Sequence, residues 1–318
     1  MNAYAEFRNL HRGDRVLMLA NAWDAVSAAI FAAAGSKAIA TSSAGLAWSR
    51  GYADGHALPR AALLSAVSAV CAIAGEKPVS VDIEGGYSDS PDDVADLVTQ
   101  LCGLGIAGIN LEDGTGAPEL LAAKIVAIKR RLHQAGLDAF VNARTDVFLR
   151  DLASGSDAVR EAIARARRYA SAGADGIFVP DLKQRDAIRS VAEAVDLPLN
   201  VLAAPSLPPA RDLYDLGVRR VSAGASLAKL ALGTAREAAE TFLREGRCDA
   251  LFSPRSVDYA ETNALLRGGM REDQAPAASR TSAPASVRPP AESPSESYER
   301  TRHDDAWRGN VSHENAFR

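Results

Sequence analysis

The sequence predicts an α/β fold, a closed (β/α)8 barrel of the TIM type with a disordered C-terminal tail, on three observations. Short apolar or β-branched runs recur eight times. Each is followed by an Ala-rich stretch with helical spacing. Polar and charged residues gather where the runs end. Alternation of this kind yields a parallel sheet with helices on its outer face.

The expected strands are Val16–Ala20, Ala38–Thr41, Val79–Asp82, Gly108–Leu111, Ala139–Asn142, Gly176–Val179, Leu199–Leu202 and Arg220–Ser222. Between them lie helical patterns near Ala25–Ala34, Arg60–Ala74, Pro91–Leu104, Pro118–Ala135, Ser156–Ala172, Gln184–Ala194 and Pro208–Leu216, with a last helix from Ser226. Gly35, Gly105 and Gly173 stand just past helical patterns, where a left-handed cap ends a helix. A doubly wound open sheet fits less well, because no GxGxxG follows the first strand.

These elements place a catalytic domain over residues 1–270. Residues 271–318 contain Pro276, Pro284, Pro289, Pro290 and Pro294 and no Leu or Ile. Such a stretch buries too little apolar surface to offset its ordering entropy, so it is expected to be a disordered tail. The formal net charge of -4 excludes a strongly basic nucleic-acid binder. No run is long and apolar enough to cross a bilayer, and residues 1–15 lack the apolar core of a signal peptide. Cys71, Cys102 and Cys248 are too few and too widely spaced for a disulfide framework or a CxxC zinc site. The expected location is the cytoplasm, without membrane or nucleic-acid partners.

In such a barrel the C-terminal strand ends form the active face. Those ends carry Asn21 and Asp24, Thr41 to Gly45, Asp82 and Glu84, Asn110 and Glu112, and Asn142 and Arg144, with Asp54 on a following loop. Asp82 and Glu84 are two apart on an extended segment and project to one side. Glu112 ends the next strand. Several carboxylates at one mouth repel each other, and a hard divalent cation relieves that repulsion. Oxygen ligands completed by water point to Mg2+, with Mn2+ as the alternative, and no strand-end histidine supports zinc. Arg144 suits a carboxylate clamp, a role compatible with pairing to Glu112 or Asp146. Backbone amides from Ser43 to Gly45 offer a second carboxylate seat.

The motifs Ser42-Ser43-Ala44-Gly45, Gly51-Tyr52-Ala53-Asp54-Gly55, Val81 to Tyr87, Gly108 to Asp113 and Asn142 to Asp146, taken in order, resemble the isocitrate lyase and phosphoenolpyruvate mutase superfamily. The resemblance spans about residues 10–268. It implies that Asp82 binds the metal, with Glu84, Asp54 and Glu112 completing its shell, partly through water. It implies a substrate site of Arg144, Ser43, Ala44 and Gly45, with Asp181 and Asn200 as an acid and amide of the lyase branch. It implies C–C or P–C chemistry beside a 2-oxo or 2-hydroxy carboxylate, and a homotetramer.

Two departures narrow the reaction. The Lys-Lys/Arg-Cys-Gly-His motif of isocitrate and methylisocitrate lyases is absent. The loop Asp113 to Pro118 is short and lacks the lysine of phosphonomutases. The expected enzyme is a Mg2+-dependent lyase for a small 2-oxo or 2-hydroxy di- or tricarboxylate, with Arg144, Asp54 and Tyr52 as catalytic candidates. Tyr87 is a second phenol and His56 a candidate base. The alternatives are a phosphonopyruvate or carboxyphosphonoenolpyruvate mutase-like enzyme, and a metabolite-binding barrel without catalysis.

Overall fold

The computed structural model describes residues 2–269. The expected tail and its boundary at residue 270 lie outside them. In chain order the elements are α1 (Ala3–Leu10), β1 (Leu17–Leu19), β2 (Asn21–Ala22), α2 (Ala25–Ala33), β3 (Ile39–Thr41), α3 (Ser43–Trp48), α4 (Arg60–Ala74), β4 (Val79–Asp82), α5 (Pro91–Gly103), β5 (Gly108–Glu112), α6 (Pro118–Ala135), β6 (Phe140–Arg144), α7 (Gly155–Ser171), β7 (Gly176–Val179), α8 (Arg185–Ala194), β8 (Leu199–Leu202), α9 (Ala210–Asp215), β9 (Val218–Ser222), α10 (Ser226–Glu245) and α11 (Tyr259–Gly269), with a 3₁₀ turn at Asp249–Phe252.

All strand pairs are parallel, in the order β1-β9-β8-β7-β6-β5-β4-β3-β2. β1 lies within the strand expected at Val16–Ala20, and β2, expected as part of the following loop, continues it after a break at Ala20. β1 pairs with β9 and β2 with β3. The first stave therefore joins the last to the second, and the ring is nearly closed. The helices follow from local chemistry. α6 starts with Pro118, whose missing N–H costs nothing there, and ends at Gly136 with φ +65°. Asp24 caps α2 through the Ser27 N–H in a reciprocal box.

Side chains alternate across each strand. Val79, Val81, Ile109, Leu111, Val141, Ala143, Ile177 and Val179 pack outward, against helix residues such as Val67, Val98, Ile125 and Ile188. The interior splits into storeys. At the base, Phe7, Leu17, Leu19, Ala38, Ala40, Ala107 and Phe140 form a separate apolar cluster. Phe7 comes from α1, which closes the barrel from below. Above that plug lie Ser80, Asn142, Asn200 and Arg220, all buried. Gly176 makes room for this layer, since a Cβ there would sit 2.8 Å from Asn142 Oδ1.

Candidate active site at the barrel mouth

The upper storey is polar because β4, β5 and β6 run on into acids and an arginine. Register places Asp82 beside Asn110, Asn110 beside Asn142, and Glu112 beside Arg144. A cavity of about 300 Å³ opens there, lined among others by Asn21, Ser43, Asp54, Asp82, Asn110 and Arg144. That volume suits a small metabolite.

Asp82 is 9% exposed. Its Oδ1 accepts the Glu84 N–H at 3.2 Å, and the Ser43 N–H points at Oδ2 from 3.5 Å. Burial holds its carboxyl above the usual range; Arg144 opposes that shift and Asp54 adds to it. β4 ends at Asp82, and Glu84 beyond it has φ +51°. The extended-segment argument for the pair therefore stops short of Glu84. Its carboxylate turns to accept the His56 N–H and, at 3.3 Å, the Tyr87 hydroxyl. Burial raises its pKa, His56 opposes, and Asp54 and Asp82 add to the rise. His56 Nε2 in turn accepts the Gly85 N–H at 2.9 Å, so this ring ties its loop to the strand end.

Arg144 is gripped from two sides. Its Nε and Nη2 donate to Asp146 at 2.6 and 3.1 Å, and Nη1 lies 2.6 Å from Glu112. Burial lowers its pKa, but Glu112, Asp146 and Asp82 more than offset this and hold it firmly charged. Burial raises Glu112, Arg144 opposes, and the neighbouring acids add to the rise. Asp146 is fixed in its turn: its N–H donates to Asp113 at 2.9 Å, and Asp113 accepts from Arg165 at 3.0 Å and from the Tyr169 hydroxyl. Two of the five N–H bonds of Arg144 donate to Asp146 and Nη1 is ion-paired with Glu112; among the described residues the rest of the guanidinium has no hydrogen-bond acceptor.

Three buried or half-buried acids, each with a pKa raised by burial and further by neighbouring carboxylates, form a donor set suited to a hard cation. Among the described residues no three Asp, Glu, His or Cys side chains converge into a ready cage. The expected direct trio of Asp82, Glu84 and Glu112 is therefore not gathered, because Glu84 faces His56 and Tyr87 while Glu112 faces Arg144. What remains fits a largely hydrated Mg2+ held by one or two carboxylates, with water linking the others.

Other expected residues part company. Ser43 and Ala44 line the cavity, as does Asp54. Gly45 does not: its N–H donates to Ser42 Oγ, and a Cβ there would lie 2.7 Å from Trp23 Cβ, so this glycine lets α3 pack. Tyr52 is exposed and also lies off the cavity lining. Asp181, at φ +64°, pairs with Lys183 beside another cleft. Asn200 is fully buried beneath the site, hydrogen-bonded to Ser222. The pairing of Arg144 expected with Glu112 or Asp146 is made with both. Sequence reasoning passed over Lys229 and Ser222, which line the cavity from α10 and β9.

The chain is similar to known proteins over most of its length. The chain is 42% identical over 265 residues to an uncharacterized protein of Mycobacterium tuberculosis, covering 82% of this chain and 95% of that one. It is 34% identical over 153 residues to an oxaloacetate decarboxylase of Bradyrhizobium, covering 45% and 50%. The crystal structure of a candidate phosphonomutase from Burkholderia cenocepacia matches with a TM-score of 0.70 at 39% identity, covering 74% of this chain and 98% of that one. The phosphoenolpyruvate phosphomutase profile matches residues 7–243, and the chain belongs to that family.

Proposed function

We propose that this protein is a Mg2+-dependent carbon–carbon lyase acting on a small 2-oxo or 2-hydroxy di- or tricarboxylate, of the oxaloacetate decarboxylase, oxaloacetate hydrolase or substituted-malate lyase type. The observation that carries the reading is a buried Asp82 and an Arg144 clamped by Asp146 and Glu112, both lining one small cavity. Similarity to a decarboxylase of oxaloacetate supports the substrate class.

Asp82 would hold the cation, with Asp54, Glu84 and Glu112 reaching it through water. When bound, Mg2+ supplies the charge that polarises a 2-oxygen and offsets enolate charge. Arg144 orients the substrate carboxylate, and the grip of Asp146 and Glu112 keeps its plane from rotating. Ser43 and Ala44 form the opposite wall. Asp54 sits on an exposed loop between Gly51 and Gly55, which have φ +78° and +96°. That loop can bring Asp54, and Tyr52 with it, over the cavity as proton carriers. A cytoplasmic homotetramer is part of the proposal. Leu230, Leu232 and Leu243 on α10 are exposed and offer apolar surface to a second copy. Among the described residues no helix is long and apolar enough to span a membrane.

Product analysis by NMR with oxaloacetate and substituted malates, with and without Mg2+, tests the reading. Metal-dependent cleavage is expected. A second reading, phosphonomutase-like chemistry, is favoured by the likeness to the Burkholderia protein and opposed by the short Asp113 to Pro118 loop. Turnover of phosphonopyruvate with none of the carboxylates would install it. Ligand binding without turnover of either class would favour the non-catalytic barrel.

A further inference from the structure

Two asparagines line the cavity. Asn21 serves the scaffold: its Oδ1 accepts the Gly224 N–H at 3.0 Å and its Nδ2 donates to the Thr41 carbonyl at 2.7 Å. Asn110 is arranged differently. Its Oδ1 accepts from Arg220 Nη2 at 3.3 Å and from Asn142 Nδ2 at 2.9 Å. A guanidinium only donates, so the Asn110 atom facing Arg220 has to be the oxygen. The same constraint turns the Asn142 amide. Arg220 itself is fully buried, with Nε donating to Ser222 Oγ at 3.1 Å and its head 5.8 Å from the Phe7 ring. It cannot present an acceptor in any orientation. The amide polarity thus runs from Arg220 upward, and Asn110 Nδ2 is left facing the cavity with no acceptor among the described residues. Asn110 is also the register partner of Asp82, and paired residues on parallel strands project to the same side.

We infer that Asn110 donates its carboxamide N–H to a substrate oxygen held beside Asp82, and that Arg220 is the positioning residue that fixes the amide in that direction. This rests on the metal–enolate reading of the site and adds to it a neutral donor. Such a donor suits an oxygen on which charge develops without drawing a second cation into the mouth.

Calorimetric titration of the full chain with oxalate in Mg2+ tests the inference. Asn110→Ala should weaken oxalate by about tenfold or more, as expected for losing a hydrogen bond to a charged group. Asn110→Asp keeps the shape and still accepts from Arg220, but offers no N–H, and should lose oxalate as well. Arg220→Gln, which can face Asn110 with either end, should weaken binding in the unaltered background and have no further effect on Asn110→Ala; a purely structural role would add. Arg220→Lys, still donor-only, should restore most of the affinity. Independently of any variant, the ¹⁵N side-chain resonances of Asn110 should shift when oxalate is added. Unchanged oxalate affinity in both Asn110 variants, or an unmoved Asn110 amide on binding, would overturn the inference alone. Absence of Mg2+-dependent oxalate binding by the unaltered protein would overturn the metal–enolate reading and the inference together.

Discussion

At the base of the barrel α1 sets Phe7 5.4 Å from Phe140, and His11 stacks on Phe140 at 4.4 Å. At the mouth the same strands carry Asp82, Glu112 and Arg144, and the loops beyond them hold His56, Glu84, Tyr87 and Asp181 at positive φ. Non-glycine residues in that region persist only where their surroundings enforce it. The base also has the roomier cleft, about 660 Å³ against about 300 Å³ at the mouth. Size therefore does not mark the candidate site. What marks it is charge: buried acids with raised pKa values and a guanidinium clamped among them. The base is built for packing, the mouth for a ligand that completes it.

That division can be broken by substitution at either end. The largest effect is expected at the mouth. Asp82→Ala should lower Mg2+-dependent turnover by about 10²–10³-fold, the scale of removing one preorganised electrostatic group. Its melting temperature should hold or rise, since a buried, repelled carboxyl is removed. A variant that retained full turnover would end the assignment of Asp82. Phe7→Ala should do the opposite. Thermal or urea unfolding should show a loss of about 3–5 kcal/mol, while kcat/KM per folded molecule stays unchanged. A fall in kcat/KM would mean that base and mouth are not separable.

A smaller effect separates the ends by pH. Burial, aided by the charge of Arg220, pushes the His11 imidazole down to about 3 in the folded state. The unfolded chain keeps the ordinary value of about 6.5. Between those values the unfolded state binds more protons, so stability rises with pH across the window. The contribution is fully present above about pH 6.5 and is lost on acidification, at up to about 1.4 kcal/mol per pH unit, until pH falls through about 3. Urea unfolding at pH 7 and pH 5 should show this slope, and His11→Leu should flatten it. Equal slopes in both proteins would contradict the account. The smallest effect is expected from truncation after Gly269. Composition alone argues that residues 271–318 are dispensable, so turnover should not change; its loss would give the tail a function.

How far this was legible in the sequence also divides by region. β4, α4 and α6 were readable end to end, because period, Pro118 and Gly136 mark them locally. α1 was not: its single buried anchor, Phe7, finds Phe140 across most of the barrel, and no local pattern announces that contact. Ser43–Trp48 reads as a turn because Gly45 weakens helix propensity, and only packing on Trp23 requires that glycine. At the mouth, the strand-end acids and Arg144 stood out because charge at a strand end is visible in one dimension. Asn200 and Asp181 shared that visibility, yet one is buried as floor and the other turned away after Pro180. Whether a strand-end residue turns inward depends on backbone angles that the sequence does not display. Asn110 stood among the strand-end polar residues yet drew no role, for the converse reason. A lone amide inside a strand carries no signal until Arg220 is seen beneath it.

The central claim, that these acids and Arg144 form one metal-dependent site for a planar 2-oxo acid intermediate, is tested most directly by calorimetric titration with oxalate, with and without Mg2+. Oxalate mimics the enolate the proposed reaction generates, and an enzyme binds such a mimic more tightly than substrate. The account predicts tight binding in Mg2+ that vanishes on chelation. Equal binding in both conditions, or none in either, would contradict it.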